Sequence, residues 1–256
     1  MFDQDRIIHP LRLARGSHQP GSGKGCAMNV ISYINGDTTI TDFPDCSAEP
    51  LAKLVQMLND RLAGPDGFLS PEDSVLVLDL GWLTVGTADT PAQIVWRWLS
   101  ELLIDPEHGV VQYASDTDGV EIRRVAELCL RGAAGEKVSA HEWLSARYAA
   151  VASSSAASAA AHISSAASAY TSSSSAFAAS YAASYAAYYA AYAAASAYAS
   201  YAAYTVKAEA AFTRWAIQRW RDFAGLDNQR PDHDAINIAL SRIITARHSS
   251  TTRKNA

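Results

Sequence analysis

Between Tyr148 and Val206 the sequence holds no charged residue, no glycine and no proline. Nothing in that run stops a helix, and alanine, its commonest residue, has the highest helix propensity. Disordered tracts are rich in charge and proline and poor in aromatics, so the reverse composition here excludes disorder as the reading of the stretch. It is long enough to cross a bilayer, but it is also poor in Leu, Ile and Val and dense in Ser and Tyr hydroxyls, which argues against a membrane span.

Other shortages narrow the function classes. Three cysteines, Cys26, Cys46 and Cys129, stand in no C-x-x-C spacing, which favours a reducing cytoplasm over a disulfide scaffold and leaves a Cys26–Cys46 pair open. Lys and Arg total 21 against 26 Asp and Glu, a net charge of −5, and nucleic-acid binding by bulk electrostatics needs the opposite balance. Arg6, His9, Arg12 and Arg15 interrupt the apolar residues at the start, so no secretory leader is read there and a cytoplasmic location is expected. The glycine-rich loop Pro20-Gly21-Ser22-Gly23-Lys24-Gly25 departs from a phosphate loop, because four intervening residues before Gly23-Lys24 lead back to His18 rather than a glycine, and Lys24 is followed by a glycine with no hydroxyl for a metal. No metal or other cofactor is implied by spacing anywhere in the chain.

What is present is mostly helix. At 256 residues the chain admits one large or two modest domains, with the large apolar residues lying before Tyr148 and after Val206. Cys26 to Ile34 is a short apolar helix or strand, ended by the turn Asn35-Gly36-Asp37. Asp37, Asp42 and Asp45 then share one loop without the spacing of a calcium loop. Ser47 is placed as the cap of a helix with Pro50 in its first turn and Leu51, Leu54, Val55 and Leu58 on one face, closing before Gly64-Pro65. Ser70-Pro71-Glu72-Asp73 and Thr90-Pro91-Ala92-Gln93 start two further helices, a strand over residues 74–78 being the competing reading of the first. Trp82, Trp96 and Trp98 read as core anchors. Asp116-Thr117-Asp118-Gly119 lacks the closing Glu of an EF-hand loop and is read as a helix start, with Val125, Leu128 and Cys129 inward and Gly132 and Gly135 closing that helix.

Ser139-Ala140-His141-Glu142 is a capping box that opens the long segment. Its weakest point for helix is Tyr170 to Ser175, where the five consecutive Thr and Ser hydroxyls of Thr171 to Ser175 compete for backbone bonds, and a hairpin turn is expected there. The first arm carries Leu144, Tyr148, Val151, Ser155, His162, Ala166 and Ala169 on one narrow face. In the second, Phe177, Tyr181, Tyr185, Tyr188 and Tyr192 share a face, whereas Tyr198, Tyr201, Tyr204, Phe212 and Trp215 fall nearly opposite. After it come an aromatic and basic helix, with Trp215, Ile217, Trp220, Phe223, Arg214, Arg219 and Arg221, and a last helix from Asp232 or Asp234 carrying Ile236, Ile238, Leu240, Ile243 and Ile244. A frayed tail is expected from His248. The expected fold is all-α: a compact helical domain over 1–135, then an Ala/Ser/Tyr-rich hairpin or bundle over 136–256 with the C-terminal helices packing back on it.

Arg12-Leu13-Ala14-Arg15-Gly16, Gly25-Cys26-Ala27-Met28-Asn29, Tyr33, Gly36, Asp37, Asp42-Phe43-Pro44-Asp45-Cys46 and Asn59-Asp60 together resemble an N-terminal module of uncharacterised proteins of actinobacteria and their phages. In that family Ala-rich tracts punctuated by aromatics follow, as here, although there the punctuation includes Asp and Arg. The resemblance implies an actinobacterial or phage origin and brings no activity, catalytic residue or cofactor with it. A fainter similarity, around Leu130-Arg131-Gly132 and Val138-Ser139-Ala140, is to immunity proteins of toxin systems. The first functional expectation is therefore a non-enzymatic interaction protein whose Tyr-studded helices, through Tyr181, Tyr185, Tyr188, Tyr192, Tyr198, Tyr201 and Tyr204, bind a second copy or a host protein. The alternatives are a small-molecule, metal-binding or enzymatic module around Cys26, Asp37, Asp42 and Cys46, and an immunity-type inhibitor.

Overall fold

The computed structural model describes residues 6, 12–16, 18, 22–151, 205–227 and 230–254. Among them are eight α-helices and no strand, so the protein is all-α. They are α1 (Ala27–Asn35), α2 (Glu49–Leu62), α3 (Pro71–Leu83), α4 (Ala92–Ile104), α5 (Asp116–Ala133), α6 (Ala140–Val151), α7 (Thr205–Ala224) and α8 (His233–Lys254), with a 3-10 turn at Val110–Tyr113. No helix among the described residues is long and apolar enough to cross a membrane. The expected hairpin turn near Thr171, the tyrosine face that changes sides and His162 lie outside the described residues.

Contacts group the chain into two compact units whose limits differ from a boundary at 135. Unit 1 joins Met1–Ala88 with Asp227–Ala256, and unit 2 is Asp89–Leu226. The physical reason is that α8 buries Ile236, Ala239 and Leu240 and packs on α1, which gathers the two ends of the chain into one core.

In unit 1, α1 packs on α2, α3 and α8. The residues from Cys26 on form a helix, and Gly36, at φ 78°, ends it in a left-handed conformation that a residue with Cβ adopts only at a cost. On α2 the stripe Leu51, Leu54, Val55 and Leu58 is fully buried, each side chain contributing about 1.5–3 kcal/mol relative to exposure. Ser47 does not cap α2. The helix begins after Ala48, because the Ala48 N–H donates to Thr87 Oγ1 (2.8 Å) and the Ser47 hydroxyl is bonded to Thr84 Oγ1 (2.8 Å). Residues 74–78 are helical: Ser70 caps α3 by accepting from the Asp73 N–H at 3.1 Å, with Pro71 in the first turn. On α8, Ile236 and Leu240 are inward but Ile238 is 55 % exposed, and the helix continues through the region expected to fray, to Lys254. Its start is bonded by Asp232, whose Oδ1 accepts from the N–H groups of Asp234 and Ala235.

In unit 2, α4 packs on α5 and α7, and α5 on α6. Trp98 is fully buried, donates through Nε1 to the Ala216 carbonyl at 2.7 Å and meets Trp220 edge-on at 5.1 Å. Trp96 is only half-buried and stacks on Trp143 at 5.5 Å, so it anchors the α4–α6 side. Gly132 lies inside α5 and lets Trp96 approach: a Cβ there would stand 3.1 Å from the ring. Gly135, at φ 84°, follows the end of the helix. Thr90 does not cap α4 either, since its hydroxyl accepts from Trp220 Nε1 (3.1 Å) and the cap position falls on Pro91. The capping box before α6 is present, with Glu142 N–H donating to Ser139 Oγ and Ser139 N–H to Glu142 Oε2.

Candidate functional site

The Cys26 to Cys46 region is built on the N-terminus of α1. Cys26 precedes the helix, and its N–H donates to Asn29 Oδ1 at 3.0 Å, so a side chain within the first turn closes the helix end. The next amide, of Ala27, donates to Asn59 Oδ1 at 3.3 Å. Two amides that a phosphate would require at the end of the glycine-rich loop are thus already bonded inside the protein.

Asp42 lies beneath this helix end. Its Oδ1 accepts from Asn29 Nδ2 (3.0 Å) and from the Cys26 thiol (3.3 Å), and its Oδ2 accepts from Gln56 Nε2 (2.8 Å). Cys26, Asn29, Gln56 and Asp42 are all buried, so a carboxylate withdrawn from water keeps acceptor bonds on both oxygens. Burial first, and then the Asp42 charge, push the Cys26 thiol well above its ordinary range. The thiolate is the nucleophilic form of cysteine, and the site holds the neutral thiol.

Asp37 and Cys46 enter other bonds. Asp37 Oδ2 accepts from Ser32 Oγ (2.6 Å) and from the Asp45 N–H (3.3 Å), and Oδ1 accepts from Asn35 Nδ2. Cys46 is half-buried, its sulfur 3.8 Å from Ser47 Oγ, and its carbonyl accepts from the N–H groups of Gly86 (2.8 Å) and Thr87 (3.2 Å). Burial, with the neighbouring Asp37 charge adding to it, raises its thiol also. All three cysteines are free thiols, so Cys26 and Cys46 do not pair. Of the four residues, the structure brings Cys26 and Asp42 into contact and uses Asp37 and Cys46 to brace the two ends of the same loop. Among the described residues no group of three or more His, Cys, Asp and Glu has a metal-holding arrangement.

Sequence reasoning missed Asn29, Gln56 and Asn59 as parts of this network. Asn59 also donates to the Ala14 carbonyl at 3.0 Å, while Gly16 N–H donates to Asp60 Oδ1 at 2.8 Å, so Asn59-Asp60 ties the arm 12–16 to α2. The signal available was an Asn set directly after the last leucine of the α2 stripe and fully buried with it.

On the aromatic and basic helix α7, Arg221 is buried, Arg219 half-buried and Arg214 exposed. Arg219 pairs with Glu101 (3.2 Å) and lies over the Phe223 ring, and Arg97 covers that ring at 4.1 Å. Ile217 and Trp220 belong to the core, so α7 is a half-buried amphipathic helix. The tyrosines Tyr181, Tyr185, Tyr188, Tyr192, Tyr198, Tyr201 and Tyr204 lie outside the described residues. Comparison with protein-family models, with curated proteins and with solved structures finds no match to this chain.

Proposed function

We propose that this is a non-enzymatic assembly protein, encoded by an actinobacterium or its phage, in which the Tyr-studded stretch 151–204 binds a second copy of the chain or a host protein. The reading is carried by one observation: in that stretch rings bearing hydroxyls are spaced along alanine with no charge to repel a partner. Tyrosine supplies contact area and a polar tip with few rotatable bonds, which is why it is enriched where proteins meet. The Cys26 region adds support, because its thiol, carboxylate and amides are committed to holding a loop.

Light scattering on the full chain provides the test. The intact protein is expected to give a mass above that of one chain. Replacement of Tyr181, Tyr185, Tyr188, Tyr192, Tyr198, Tyr201 and Tyr204 by Ala is expected to return it to a monomer. A monomeric intact protein removes self-association, and capture of a host protein that the substituted chain fails to capture then distinguishes the second occupant.

A further inference from the structure

Asn35-Gly36 is the chain's only Asn-Gly pair, its other asparagines being followed by Val, Asp, Gln, Ile or Ala. Glycine has no side chain to shield its backbone nitrogen, so this asparagine is the one most open to attack by the nitrogen of the next residue. Asn35 is the last residue of α1, and both it and Gly36 are exposed. The folded protein nonetheless holds both reacting groups. The Gly36 N–H donates to the Tyr33 carbonyl at 3.2 Å, and the Asn35 side-chain amide donates to Asp37 Oδ1. Asp37 is the centre of this corner: its Oδ2 accepts from Ser32 Oγ (2.6 Å) and from the Asp45 N–H (3.3 Å), and Ser32 Oγ accepts in turn from the Thr41 N–H (3.2 Å). The Asn35 amide therefore lies against the carboxylate that braces the loop running from α1 to Cys46.

We propose that Asn35 is a site of spontaneous deamidation gated by opening of the end of α1, and that the product loosens the loop over residues 37–46. The Gly36 amide nitrogen gives its proton to hydroxide and bonds to Asn35 Cγ. The Cγ–Nδ2 bond breaks, and the departing group takes a proton from water and leaves as ammonia, which restores the hydroxide. The succinimide so formed takes up one water at either of its carbonyls and opens to aspartate or isoaspartate. Nothing is oxidised or reduced. The neutral donor to Asp37 is thereby replaced by a second carboxylate, and two like charges in contact repel. Helix ends open at a lower free-energy cost than buried segments, so the reaction needs only the last turn of α1 to fray.

Peptide mapping by mass spectrometry, with the full chain held at mildly alkaline pH either folded or in urea, follows the conversion. The folded chain is expected to convert Asn35 about tenfold more slowly than the unfolded one, and Asp37→Ala to recover most of that factor. Hydrogen exchange of the unsubstituted chain reads the same opening and needs no variant to fold. The Gly36 amide is expected to be protected about as strongly as the conversion is slowed, and far less than the amide of Ile31, which is buried inside α1. Asn35→Asp carries the charge of the product, and its Thr41 and Asp45 amides are expected to exchange about tenfold faster. Absence of aspartate and isoaspartate in place of Asn35 after incubation in urea overturns the site. Equal rates folded and in urea, or Gly36 protected as strongly as Ile31, overturn the gating by the end of α1. A folded Asp37→Ala chain that converts no faster overturns the hold by Asp37. Unchanged exchange of Thr41 and Asp45 in Asn35→Asp overturns the loosening of the loop.

Discussion

Asp42 accepts three hydrogen bonds in a site nearly closed to water, so its loss would remove an acceptor from Asn29, Gln56 and the Cys26 thiol. Asp42→Ala is expected to cost about 3 kcal/mol or more in urea unfolding, because each stranded buried donor costs roughly 1–3 kcal/mol. A cost below about 1 kcal/mol would show that water replaces the carboxylate and that the loop does not depend on it. The thiols make a second prediction. Burial raises both Cys26 and Cys129 above the ordinary value of 9.0, so the folded protein keeps protons that the unfolded chain releases. Stability from this source is fully present below about pH 9 and falls as pH rises above it, by roughly 1.4 kcal/mol per pH unit for each such thiol. Urea midpoints between pH 8 and 10.5 should fall more steeply for the natural chain than for Cys129→Ala. Equal slopes would mean that Cys129 is reached by solvent in the folded state.

At the scale of elements, what a helix end requires is decided by whichever partner is nearer. Ser70 has Asp73 N–H within reach and caps α3, so Ser70→Ala is expected to cost about 1 kcal/mol in urea unfolding. Ser47 and Thr90, which look equivalent in the sequence, bond instead to Thr84 and to the Trp220 indole. Propensity arguments see the cap residue and its three followers, whereas the competing partners here lie 37 and 130 residues away. The capping box at Ser139 has no such rival. The Ser139 N–H bond first, and the Arg131 guanidinium with it, lower the Glu142 carboxyl to about 2. Its contribution to the start of α6 is therefore present above the ordinary carboxylate value of 4.5 and is lost as pH falls through about 2. An NMR titration of Glu142 in the natural chain and in Arg131→Gln should show a low midpoint that moves upward in the variant. Gly132 sets two effects against each other: alanine would gain about 1 kcal/mol of helix propensity, but fitting a Cβ against Trp96 costs roughly 1–3 kcal/mol. Gly132→Ala is expected to be net destabilising by about 1 kcal/mol and to shift tryptophan fluorescence. An unchanged spectrum with raised stability would mean that Trp96 moves away freely.

At the scale of the whole molecule, the separation of cores was partly legible and the grouping of the chain was not. The apolar stripes of α2, α4 and α5 are periodic, and Leu51, Leu54, Trp98, Leu99, Val125 and Cys129 are buried as periodicity expects. No local rule says that the last helix returns to the first. That follows from long-range fits, such as Gly25 leaving room for Ile243, whose Cδ1 would stand 3.0 Å from a Cβ at that position. Asn59 shows the same limit within the candidate site: its spacing puts it beside the α2 stripe, but only the arm 12–16 passing within 3.0 Å gives its amide a task.

By itself the sequence determined the helical class, the starts at Ser70 and Ser139, the end at Gly36, and the inward faces of the periodic helices. Those features depend on residues within a turn or two of one another, where propensity and capping act without reference to the rest of the chain. Tertiary structure alone decided that Asp227–Ala256 joins the first 88 residues, that Cys26 donates to Asp42 while Cys46 stands apart, and that Arg221 is buried. Each of these is set by which surfaces meet across long stretches of chain, and a buried polar group takes its partner from that meeting rather than from its neighbours in sequence.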